Sequence, residues 1–472
     1  MSTVQIYQQA RLSRDARFDG KFYTAVLTTG IFCRPVCPAR PPKPENVRYY
    51  NNAMQAQEAG FRPCMRCLPE LAPQASVPLA IKKLSRAVES GQNLTMMSQN
   101  FNLSARQIRR LFIKHYGLSP IRYISNHRLL LARKLLKTTQ LTITDTAFAA
   151  GFSSVRRFNE AIKTAYQCSP SDLRKKIHPV KHRDIEVILP YTEPFNWPLM
   201  LSFFQKRQLT NIEMVDDEKY CRTININGNT GWFSVSKVTD KSALKLMVQL
   251  ADYRDLNHVI LAVRQMFDLD TDMGQIHQYL AAHPILAEVI KQTPGLRLPG
   301  CWDVFEFSIR AILGQQISVK GATTLANRIA VKYGSPSAQN PYKLTHLFPT
   351  PDELSSANYE AIGLTKSRIS TLQNWLEFYQ QDEEVLHYYP SLEKLEQRLM
   401  AIKGIGPWTV NYLAMRGLSD PDAFPSADLG IIKALTVNDN KPTNKAILAL
   451  SENWRPWRAY AAIYLWQSLA IS

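Results

Sequence analysis

Four of the seven cysteines in this 472-residue chain lie in two close pairs. Three residues separate Cys33 from Cys37, and two residues separate Cys64 from Cys67. Two short spacers joined by a longer one are typical of a tetrahedral zinc site, in which each pair supplies two sulfur ligands. The spacing therefore predicts one Zn²⁺ ion with four cysteine ligands, and a purely structural ion that staples a small domain remains one interpretation.

The cysteine pairs lie among arginines that can attract phosphate groups. These arginines are Arg34, Arg40, Arg62 and Arg66. Four thiolates around Zn²⁺ carry a formal charge of −2, and the metal rather than a general base keeps them deprotonated. An electron-rich thiolate beside a DNA backbone is unusual for a structural zinc site. The combination indicates transfer of an alkyl group to sulfur.

A second set of candidate residues begins with LMAIKGIGPWTVNYLAMRGL at residues 399–418. We predict a helix that ends at Ile402, a tight hairpin at Gly404 and Gly406, and a second helix whose first amides hold a phosphate. Taken alone, the glycines are equally typical of an ordinary helix end. Asp428 follows Gly406 by 22 residues and is predicted to lie on a loop that faces the hairpin.

Aromatic side chains close to this hairpin in the sequence can form the walls of a pocket for a flat base. The candidates are Trp408, Tyr412 and Trp466. Their electron-rich rings favour a cationic base through stacking and cation–π attraction. The stretch RAILGQQIS offers Gln316 as a small polar insert. Two competing carboxylates, Asp420 and Asp422, are expected to be solvated loop residues.

A repeated pattern lies between these two sets of residues. Residues 94–120 are echoed by residues 141–170, with Ser104 and Ser154 at equivalent positions. Each copy predicts a short helix, a turn, a serine N-cap and a basic amphipathic helix. Two copies suit a pair of DNA-reading heads, although a plain helical bundle has the same periodicity. The candidate DNA contacts, to bases or to phosphates, are Arg106, Gln107, Arg110, Arg156, Arg157 and Asn159.

The positive charge is concentrated in the first part of the chain. Residues 1–183 contain 30 Lys and Arg against 9 Asp and Glu, a net charge of +21, whereas residues 184–472 contain 27 against 30, a net charge of −3. Such an excess predicts a polyanion binder, most often of nucleic acid, with a solvated basic surface as the alternative. A helix predicted at 121–137 contributes Arg128, Arg133 and Lys134, and the tail RKKIHPVKHR at 174–183 is interpreted as a linker with residual DNA affinity.

The second part of the chain changes character. The segments DIEVILPY, YCRTININ and GWFSVSKV are strand-like, and after about residue 241 the chain is expected to be helical. The sequence shows neither an apolar stretch of membrane-spanning length nor a cleavable leader. We therefore expect a cytoplasmic bacterial protein that associates with the nucleoid through DNA.

The cysteine region resembles a known family. TTGIFCRPVCPAR followed by GFRPCMRC is similar to the methylphosphotriester-repair domain of Ada proteins over about residues 5–72. The resemblance implies that Cys33 accepts a methyl group from an alkylated DNA phosphate and that the other three cysteines complete the zinc site. Methylation would change the formal charge of the site from −2 to −1, so that it repels DNA less. The repeat resembles AraC-type DNA-binding domains, which implies that the second helix of each copy enters the major groove.

Residues 184–472 resemble the AlkA-type 3-methyladenine DNA glycosylases of the helix-hairpin-helix superfamily, including at LPGCWDVFEF and RPWRAYAAIYLWQ. The resemblance implies that Asp428 stabilises an oxocarbenium-like sugar and guides water while a flipped, positively charged purine departs. Bifunctional relatives carry a lysine where Trp408 stands, which implies a monofunctional enzyme. The AlkA type inserts an apolar wedge into the duplex where this chain has Gln316.

The sequence thus predicts an α+β multidomain protein of four parts. These are a four-cysteine zinc methyl-acceptor domain at 1–75, an all-α tandem helix-turn-helix domain at 76–178, an α+β subdomain at 184–294 and a mainly helical helix-hairpin-helix glycosylase domain at 295–472. The expected partners are double-stranded DNA, as damaged substrate and as promoter, and RNA polymerase. A monomer without membrane contact or organic cofactor is expected. One rival is a regulator whose glycosylase-like half is a non-catalytic sensor, and another is a repair enzyme whose first half is only a zinc-stabilised anchor.

Overall fold

The computed structural model describes residues 2–72, 78–89, 92–174 and 184–471. The chain divides into two compact units. The first unit comprises Met1–Thr192, Val238–Ile260 and Leu269–Thr271, and the second comprises Glu193–Lys237, Leu261–Asp268 and Asp272–Ser472. Among the described residues, no helix has both the length and the apolar character needed to cross a membrane. Part of the predicted linker, residues 175–183, lies outside the described residues.

The first unit begins with a small sheet and two helices. The elements are α1 (Thr3–Ser13), β1 (Tyr23–Val26), β2 (Ile31–Cys33), β3 (Val47–Tyr50), α2 (Ala53–Glu58) and β4 (Arg62–Pro63). The strand order is β3-β1-β2-β4, with β1 antiparallel to both β2 and β3, and β2 parallel to β4. Because Phe32 of β2 aligns with Pro63 of β4, the cysteines that follow these two strands leave the sheet at the same edge.

The helical part of the first unit contains both copies of the repeat. The helices are α3 (Leu79–Glu89), α4 (Leu94–Phe101), α5 (Ala105–Tyr116), α6 (Pro120–Thr138), α7 (Ile143–Ala149), α8 (Val155–Tyr166) and α9 (Pro170–Leu173). Both predicted N-caps are present: Ser104 Oγ accepts from the backbone N–H of Gln107, and Ser154 Oγ accepts from that of Arg157. The tandem helix-turn-helix prediction is confirmed, with α6 as the connecting helix.

The chain then forms two groups of antiparallel strands and several helices. In chain order these are β5 (Ile185–Pro190), α10 (Trp197–Gln205), β6 (Glu213–Val215), β7 (Lys219–Ile226), β8 (Asn229–Lys237), β9 (Ala243–Leu250), α11 (Leu256–Met266), α12 (Met273–Leu280) and α13 (Pro284–Gln292). Strand β5 pairs with β9 in the first unit, and β6, β7 and β8 form a meander in the second.

The expectation that the chain turns helical after residue 241 is wrong for its first nine residues, where strand β9 lies. Its sequence ALKLMVQL places Leu244, Leu246, Val248 and Leu250 two residues apart, and all four are buried. This period of two is the pattern of a half-buried strand, so the signal was present in the sequence.

The rest of the second unit is helical. It contains α14 (Val304–Leu313), α15 (Val319–Tyr333), α16 (Pro351–Ser355), α17 (Lys366–Asp382), α18 (Glu384–His387), α19 (Leu392–Met400), α20 (Pro407–Tyr412), α21 (Leu429–Ala434), α22 (Asn444–Ser451) and α23 (Arg458–Ile471). The predicted α+β fold class is confirmed. Helix α20 continues as a π-helical turn over Leu413–Gly417. Trp375, Leu399, Val410 and Tyr464 lie in the apolar core that these helices surround.

The predicted glycine hairpin joins α19 to α20. Gly404 has φ +97°, and a Cβ there would lie 2.1 Å from Oγ1 of Thr371, so no other residue fits without displacing helix α17. Gly406 is the N-cap of α20, and a Cβ there would meet nothing within 4 Å. The first glycine is therefore required by close packing, whereas the second borders open space.

Candidate functional site

The four predicted metal ligands come together in the first unit. Strand β2 ends at Cys33, and Cys64 directly follows β4. The ligand atoms of Cys33, Cys37, Cys64 and Cys67 all lie within 4.8 Å of one another. A tetrahedral zinc ion with Zn–S bonds of about 2.3 Å needs sulfurs about 3.8 Å apart. The four sulfurs therefore fit the group that their spacing predicted.

The surroundings of the four sulfurs differ. Backbone N–H groups of Arg34 and Arg66 donate to Sγ of Cys67 and of Cys64, each at 3.4 Å. The sulfur of Cys37 has a similar bond from the backbone of Ala39. In the described part of the chain no backbone N–H donates to Sγ of Cys33, which is also partly exposed. N–H donors stabilise charge on sulfur, so Cys33 is the least stabilised of the four and the most nucleophilic.

The arginines around the cluster have two different settings. Arg62 and Arg66 are exposed. The Arg34 side chain is instead half-buried: Nε donates to Oδ1 of Asp19 at 2.8 Å and Nη1 donates to the carbonyl oxygen of Cys67 at 3.2 Å. Arg34 therefore holds the second cysteine loop in place, and the two exposed arginines are the ones open to a phosphate.

Arg133 of helix α6 is buried against the same loop. Its guanidinium forms an ion pair with Glu70, and both side chains are only 1% exposed. Nη2 also donates to the carbonyl oxygens of Pro63 at 3.3 Å and Cys64 at 3.2 Å. Sequence reasoning gave only the positive charge of this residue. The structure makes Arg133 a strut between the connecting helix and a zinc-ligand loop.

The predicted DNA-contacting side chains lie on the exposed faces of α5 and α8. The exposed set is Arg106, Gln107, Arg110, Arg156, Arg157 and Asn159. Two of them also have local roles. Oε1 of Gln107 accepts from the backbone N–H of Ser104 at 2.8 Å, which completes a capping box, and Nη1 of Arg157 donates to Oγ of Ser153 at 3.3 Å.

In the second unit, Asp428 is the N-cap of α21 and is held by four donors. Its Oδ1 accepts from the backbone N–H groups of Gly430 at 2.9 Å and Ile431 at 3.2 Å, and from Nε1 of Trp466 at 2.9 Å. Its Oδ2 accepts from Nε1 of Trp408 at 3.0 Å. A carboxylate offers about four lone-pair sites, so the free acceptor capacity of Asp428 lies on Oδ2.

The three predicted aromatic residues are clustered, but not as a sandwich around a base. The rings of Trp408 and Tyr412 stack on each other with centroids 5.0 Å apart and an interplanar angle of 10°. The Tyr412 and Trp466 centroids lie 6.3 Å apart at 60°. A base between two rings needs about 3.5 Å on each side, or about 7 Å in total. A base can therefore stack only on a free face of this cluster.

A cavity of about 970 Å³ opens in front of Asp428 and the aromatic cluster. Its volume is at the upper end of the roughly 300–1,000 Å³ of small-molecule sites. Its lining includes Gln316, which is exposed and has φ +56°, and the hairpin glycines Gly404 and Gly406. Nε2 of Gln315 donates to the carbonyl oxygen of Gly404 at 3.0 Å, which ties the predicted insert to the hairpin.

Sequence reasoning missed two arginines of this cavity, Arg207 and Arg416. Nη1 of Arg416 donates to the Tyr412 hydroxyl at 2.9 Å. Burial alone would raise the pKa of Tyr412, but the guanidiniums of Arg416 and Arg207 outweigh it, so this pKa lies below its ordinary value. The four-residue spacing of Tyr412 and Arg416 on one helix could have indicated their contact. No local pattern connects Arg207 with residues about two hundred positions later.

The competing carboxylates have structural roles, and the expectation that both are solvated is wrong. Asp420 is 6% exposed, and its Oδ2 accepts from the Tyr389 hydroxyl at 3.0 Å. Asp422 is ion-paired with Arg455 and Arg458. Neither lines the cavity. A buried polar partner on a distant helix, which the sequence does not reveal, fixes Asp420.

Comparison with known families matches each part of this architecture. The metal-binding domain of Ada matches residues 6–70, a helix-turn-helix domain matches residues 97–176, and the AlkA N-terminal domain matches residues 186–303. The DNA-3-methyladenine glycosylase 2 of Escherichia coli is 30% identical over 59% of this chain and 95% of its own length. The 3-methyladenine DNA-glycosylase from Archaeoglobus fulgidus has the same fold, with a TM-score of 0.53 and 21% identity over 59% of this chain and 96% of that chain.

The fold and the sites define a three-part protein that joins an Ada-type metal-binding domain and a helix-turn-helix domain to an AlkA-type glycosylase fold. The chain is 34% identical to the probable bifunctional transcriptional activator/DNA repair enzyme AlkA of Mycobacterium tuberculosis, over 97% of this chain and 95% of that one. The chain therefore belongs to the family of bifunctional transcriptional activator/DNA repair enzymes AlkA. The resemblances drawn from the sequence are confirmed.

Proposed function

We propose that the second unit hydrolyses the N-glycosidic bond of alkylated purines of the 3-methyladenine type in DNA, with Asp428 as the catalytic carboxylate. The observation that carries the proposal is the setting of that carboxylate. Two indole N–H groups and two backbone N–H groups fix it at a cavity that also contains the aromatic cluster. A charge held rigidly by preorganised donors is what stabilisation of a developing cation requires.

The reaction follows from this charge. As the glycosidic bond breaks, the bonding electrons leave with the purine, which neutralises a base that was cationic. The sugar becomes oxocarbenium-like, and the negative charge of Asp428 stabilises it. Oδ2 retains acceptor capacity and can orient the attacking water, while Oδ1 is occupied by its three donors. Trp408 stands where a lysine nucleophile would be needed for strand cleavage, so we propose a monofunctional enzyme.

The DNA duplex is expected to lie across the hairpin. Gly404 and Gly406 allow the backbone to approach a phosphate, and the open space around Gly406 supports this role. Gln316 is exposed at the cavity and is our candidate for filling the space that the flipped nucleotide leaves. The base then stacks on a free face of the cluster of Trp408, Tyr412 and Trp466, where the electron-rich rings stabilise it.

In the first unit, we propose that Cys33 accepts a methyl group from a DNA methylphosphotriester. Its sulfur attacks the methyl carbon, the carbon–oxygen bond breaks, and the phosphate diester leaves with the bonding electrons while the sulfur becomes a thioether. A single bound zinc ion would supply one function, which is to keep all four sulfurs deprotonated near neutral pH. The exposed Arg62 and Arg66 attract the phosphate, and the absence of a backbone donor to Cys33 in the described residues supports its selection.

The same step offers a switch for DNA binding through the candidate contacts on α5 and α8. Methylation changes the formal charge of the site from −2 to −1, which reduces its repulsion of the DNA backbone. A charge pair about 4 Å apart is worth on the order of 1 kcal/mol in water and several at lower effective dielectric, so a roughly tenfold gain in affinity is expected. The gain should shrink as salt is added. Equal affinities and salt slopes for the two forms would rule out this switch.

We further propose the four-part division at residues 1–75, 76–178, 184–294 and 295–472, and a monomer that acts on double-stranded DNA in the nucleoid. RNA polymerase would be a second partner at the promoter. The basic first part also supplies DNA affinity that the second part, with its net charge of −3, lacks.

The decisive experiment compares wild type with Asp428→Asn in release of 3-methyladenine from alkylated DNA. Asparagine keeps the size and the capping oxygen but removes the negative charge. Excision should fall by roughly 10²–10³, whereas affinity for a duplex with an abasic analogue should change little. The loss should be larger for neutral bases than for 3-methyladenine, whose own charge weakens the bond. A wild-type protein that releases no base would favour a non-catalytic sensor, and equal rates would move catalysis away from Asp428.

A further inference from the structure

The cavity beside the aromatic cluster contains a positive charge that a pocket for cationic bases does not need. Arg207 follows helix α10 and lines the cavity. Its guanidinium carbon lies 3.7 Å from the ring centroid of Phe203, and Nη1 donates to the Phe203 carbonyl oxygen at 3.1 Å. These contacts fix the guanidinium, so the charge has a defined position at the cavity wall.

Arg207 keeps donors that no described residue uses. A guanidinium has five N–H groups. Among the described residues, its partners are the Phe203 carbonyl and the hydroxyl of Tyr412, one of the aromatic residues of the base pocket. The remaining donors face no protein acceptor in that part of the chain, so water or a ligand in the cavity must satisfy them.

Arg416 has a different role, although it touches the same tyrosine. It is 4% exposed, and its donors reach the Tyr412 hydroxyl at 2.9 Å, the Pro299 carbonyl at 2.9 Å and the Gly300 carbonyl at 3.2 Å. Its hydrogen bonds are thus made within the protein, and it contributes charge from behind the tyrosine. Burial lowers the pKa of Arg207 to about 10, and Arg416 acts in the same direction. Both groups remain charged at neutral pH.

The two guanidiniums act against a cationic base and in favour of an acceptor. A base with positive ring charge stacked on Tyr412 meets like charge across a small, poorly solvated space. A neutral base with an exocyclic carbonyl meets no such repulsion and offers an oxygen to the unused donors of Arg207. Hydrogen bonds from a charged donor are about twice as strong as those between neutral groups.

We propose that Arg207 is a specificity-determining residue of the glycosylase site, which disfavours flipped bases with positive ring charge and favours neutral purines with an exocyclic carbonyl oxygen. The inference rests on the proposed function, because it takes the cavity as the base pocket. It assigns to this chain a preference that stacking on aromatic rings would not produce, since aromatic faces alone attract cations.

Four duplex substrates separate the two effects of Arg207. They carry 3-methyladenine (cationic, no carbonyl), 7-methylguanine (cationic, carbonyl), hypoxanthine (neutral, carbonyl) and 1,N6-ethenoadenine (neutral, no carbonyl). Arg207→Met removes charge and donors at similar length. Arg207→Lys keeps the charge but loses the planar fork of donors. The matched control is Lys206→Met, which removes an adjacent exposed charge that does not line the cavity.

The kcat/KM of full-length protein is measured for each pair of variant and substrate. We expect Arg207→Met to raise the ratio of 3-methyladenine to hypoxanthine excision on the order of tenfold. Arg207→Lys should lower the ratio of hypoxanthine to ethenoadenine while keeping the discrimination against cations. Lys206→Met should leave all ratios unchanged. If Arg207→Met does not fold, the hypoxanthine to ethenoadenine ratio of Arg207→Lys carries the test.

Loss of the same factor for all four bases in Arg207→Met would overturn the inference, because that result is expected of a purely structural residue. Unchanged ratios in both variants would overturn it as well. In either case the proposed function stands if wild type releases base and Asp428→Asn does not. Failure of wild type to release any base would instead contradict the proposed function.

Discussion

Nε1 of Trp408, directly after the hairpin, donates a 3.0 Å hydrogen bond to Oδ2 of Asp428. The residues are 20 positions apart, and the bond links the first turn of α20 to the cap of α21. A second indole, that of Trp466, holds Oδ1 at 2.9 Å. The two tryptophans that the sequence suggested as walls for a base therefore act on the carboxylate through their edges as well.

This relationship predicts a loss of activity when the indole N–H is removed and the ring is kept. Trp408→Phe preserves a ring that can stack on Tyr412 but leaves Oδ2 without its protein donor. A hydrogen bond to a charged group is worth about 1.5–3 kcal/mol, so kcat for 3-methyladenine should fall at least about tenfold. Trp466→Phe should act in the same direction. Single-turnover excision assays measure the effect.

Trp457→Phe is the matched control, since Trp457 lies in the same unit but does not line the cavity. Its rate should equal that of wild type. A wild-type rate for both Trp408→Phe and Trp466→Phe would show that the indole donors do not support Asp428.

The features that the sequence predicted correctly depend on residues close together in the chain. The pairing of Cys33 with Cys37, the caps at Ser104 and Ser154 and the sharp turn at Gly404 are each determined within a few residues. Spacing and backbone preference are sufficient in such cases, because the groups that interact are held together by the chain itself.

The features that the sequence did not predict depend on partners far apart in the chain. Arg133 gives the same local signal as any basic helix residue, and only its contact with Glu70 shows that it is buried. The contact of Arg207 with Tyr412 joins residues about two hundred positions apart. Such contacts are set by the packing of whole elements, which neither charge nor periodicity encodes. Strand β9 is different, since its alternation was readable.

Separation of the two chemistries predicts that Cys33→Ser abolishes methyl acceptance and leaves excision of 3-methyladenine within about twofold of wild type. Cys33 lies in the first unit and Asp428 in the second. Mass spectrometry after incubation with methylphosphotriester DNA should find one added methyl on wild type and none on the variant. Zinc content is measured in parallel, because three sulfurs remain to bind the ion.

Cys168→Ser provides the comparison, since Cys168 is a partly exposed cysteine outside the cluster. It should accept one methyl group as wild type does. A methyl group on Cys37, Cys64 or Cys67 of the Cys33→Ser protein would show that the nucleophile had been misassigned.

The buried pair of Arg133 and Glu70 predicts a large effect on stability. Arg133→Met leaves the Glu70 carboxylate unpaired and removes the donor to two backbone carbonyls. Breaking a buried pair costs about 3–5 kcal/mol, and the double variant Arg133→Met/Glu70→Gln should recover part of that loss. Amide hydrogen exchange in α6 of the full-length protein measures the local free energy of opening.

Arg122→Met is the control on the same helix, because Arg122 pairs with Glu58 at 3.5 Å with its side chain 67% exposed. Exposed pairs contribute at most about 1 kcal/mol. If Arg122→Met and Arg133→Met change hydrogen exchange equally, Arg133 does not support the zinc-ligand loop.

The last prediction concerns His277 on α12 and Tyr464 on α23, whose Nε2 and hydroxyl oxygen lie 2.7 Å apart. The tyrosine oxygen accepts from the backbone of Leu296, so its O–H is free to donate to the histidine, which must then be neutral. Burial lowers the pKa of His277, and the nearby Arg297 adds to this effect. The unfolded chain therefore binds a proton at higher pH than the folded protein does.

The contribution of His277 to stability is thus fully present above its unfolded pKa of 6.5 and is lost as pH falls from there through the lower folded pKa. Within that window the loss is at most about 1.4 kcal/mol per pH unit. His277→Gln removes the titration but keeps an acceptor for Tyr464. Melting of the glycosylase unit in the full-length protein should therefore differ between wild type and variant by a constant amount from pH 7.5 to 8.5. Below pH 6.5 the wild type should lose Tm faster, and parallel curves down to pH 5 would contradict a neutral, hydrogen-bonded His277.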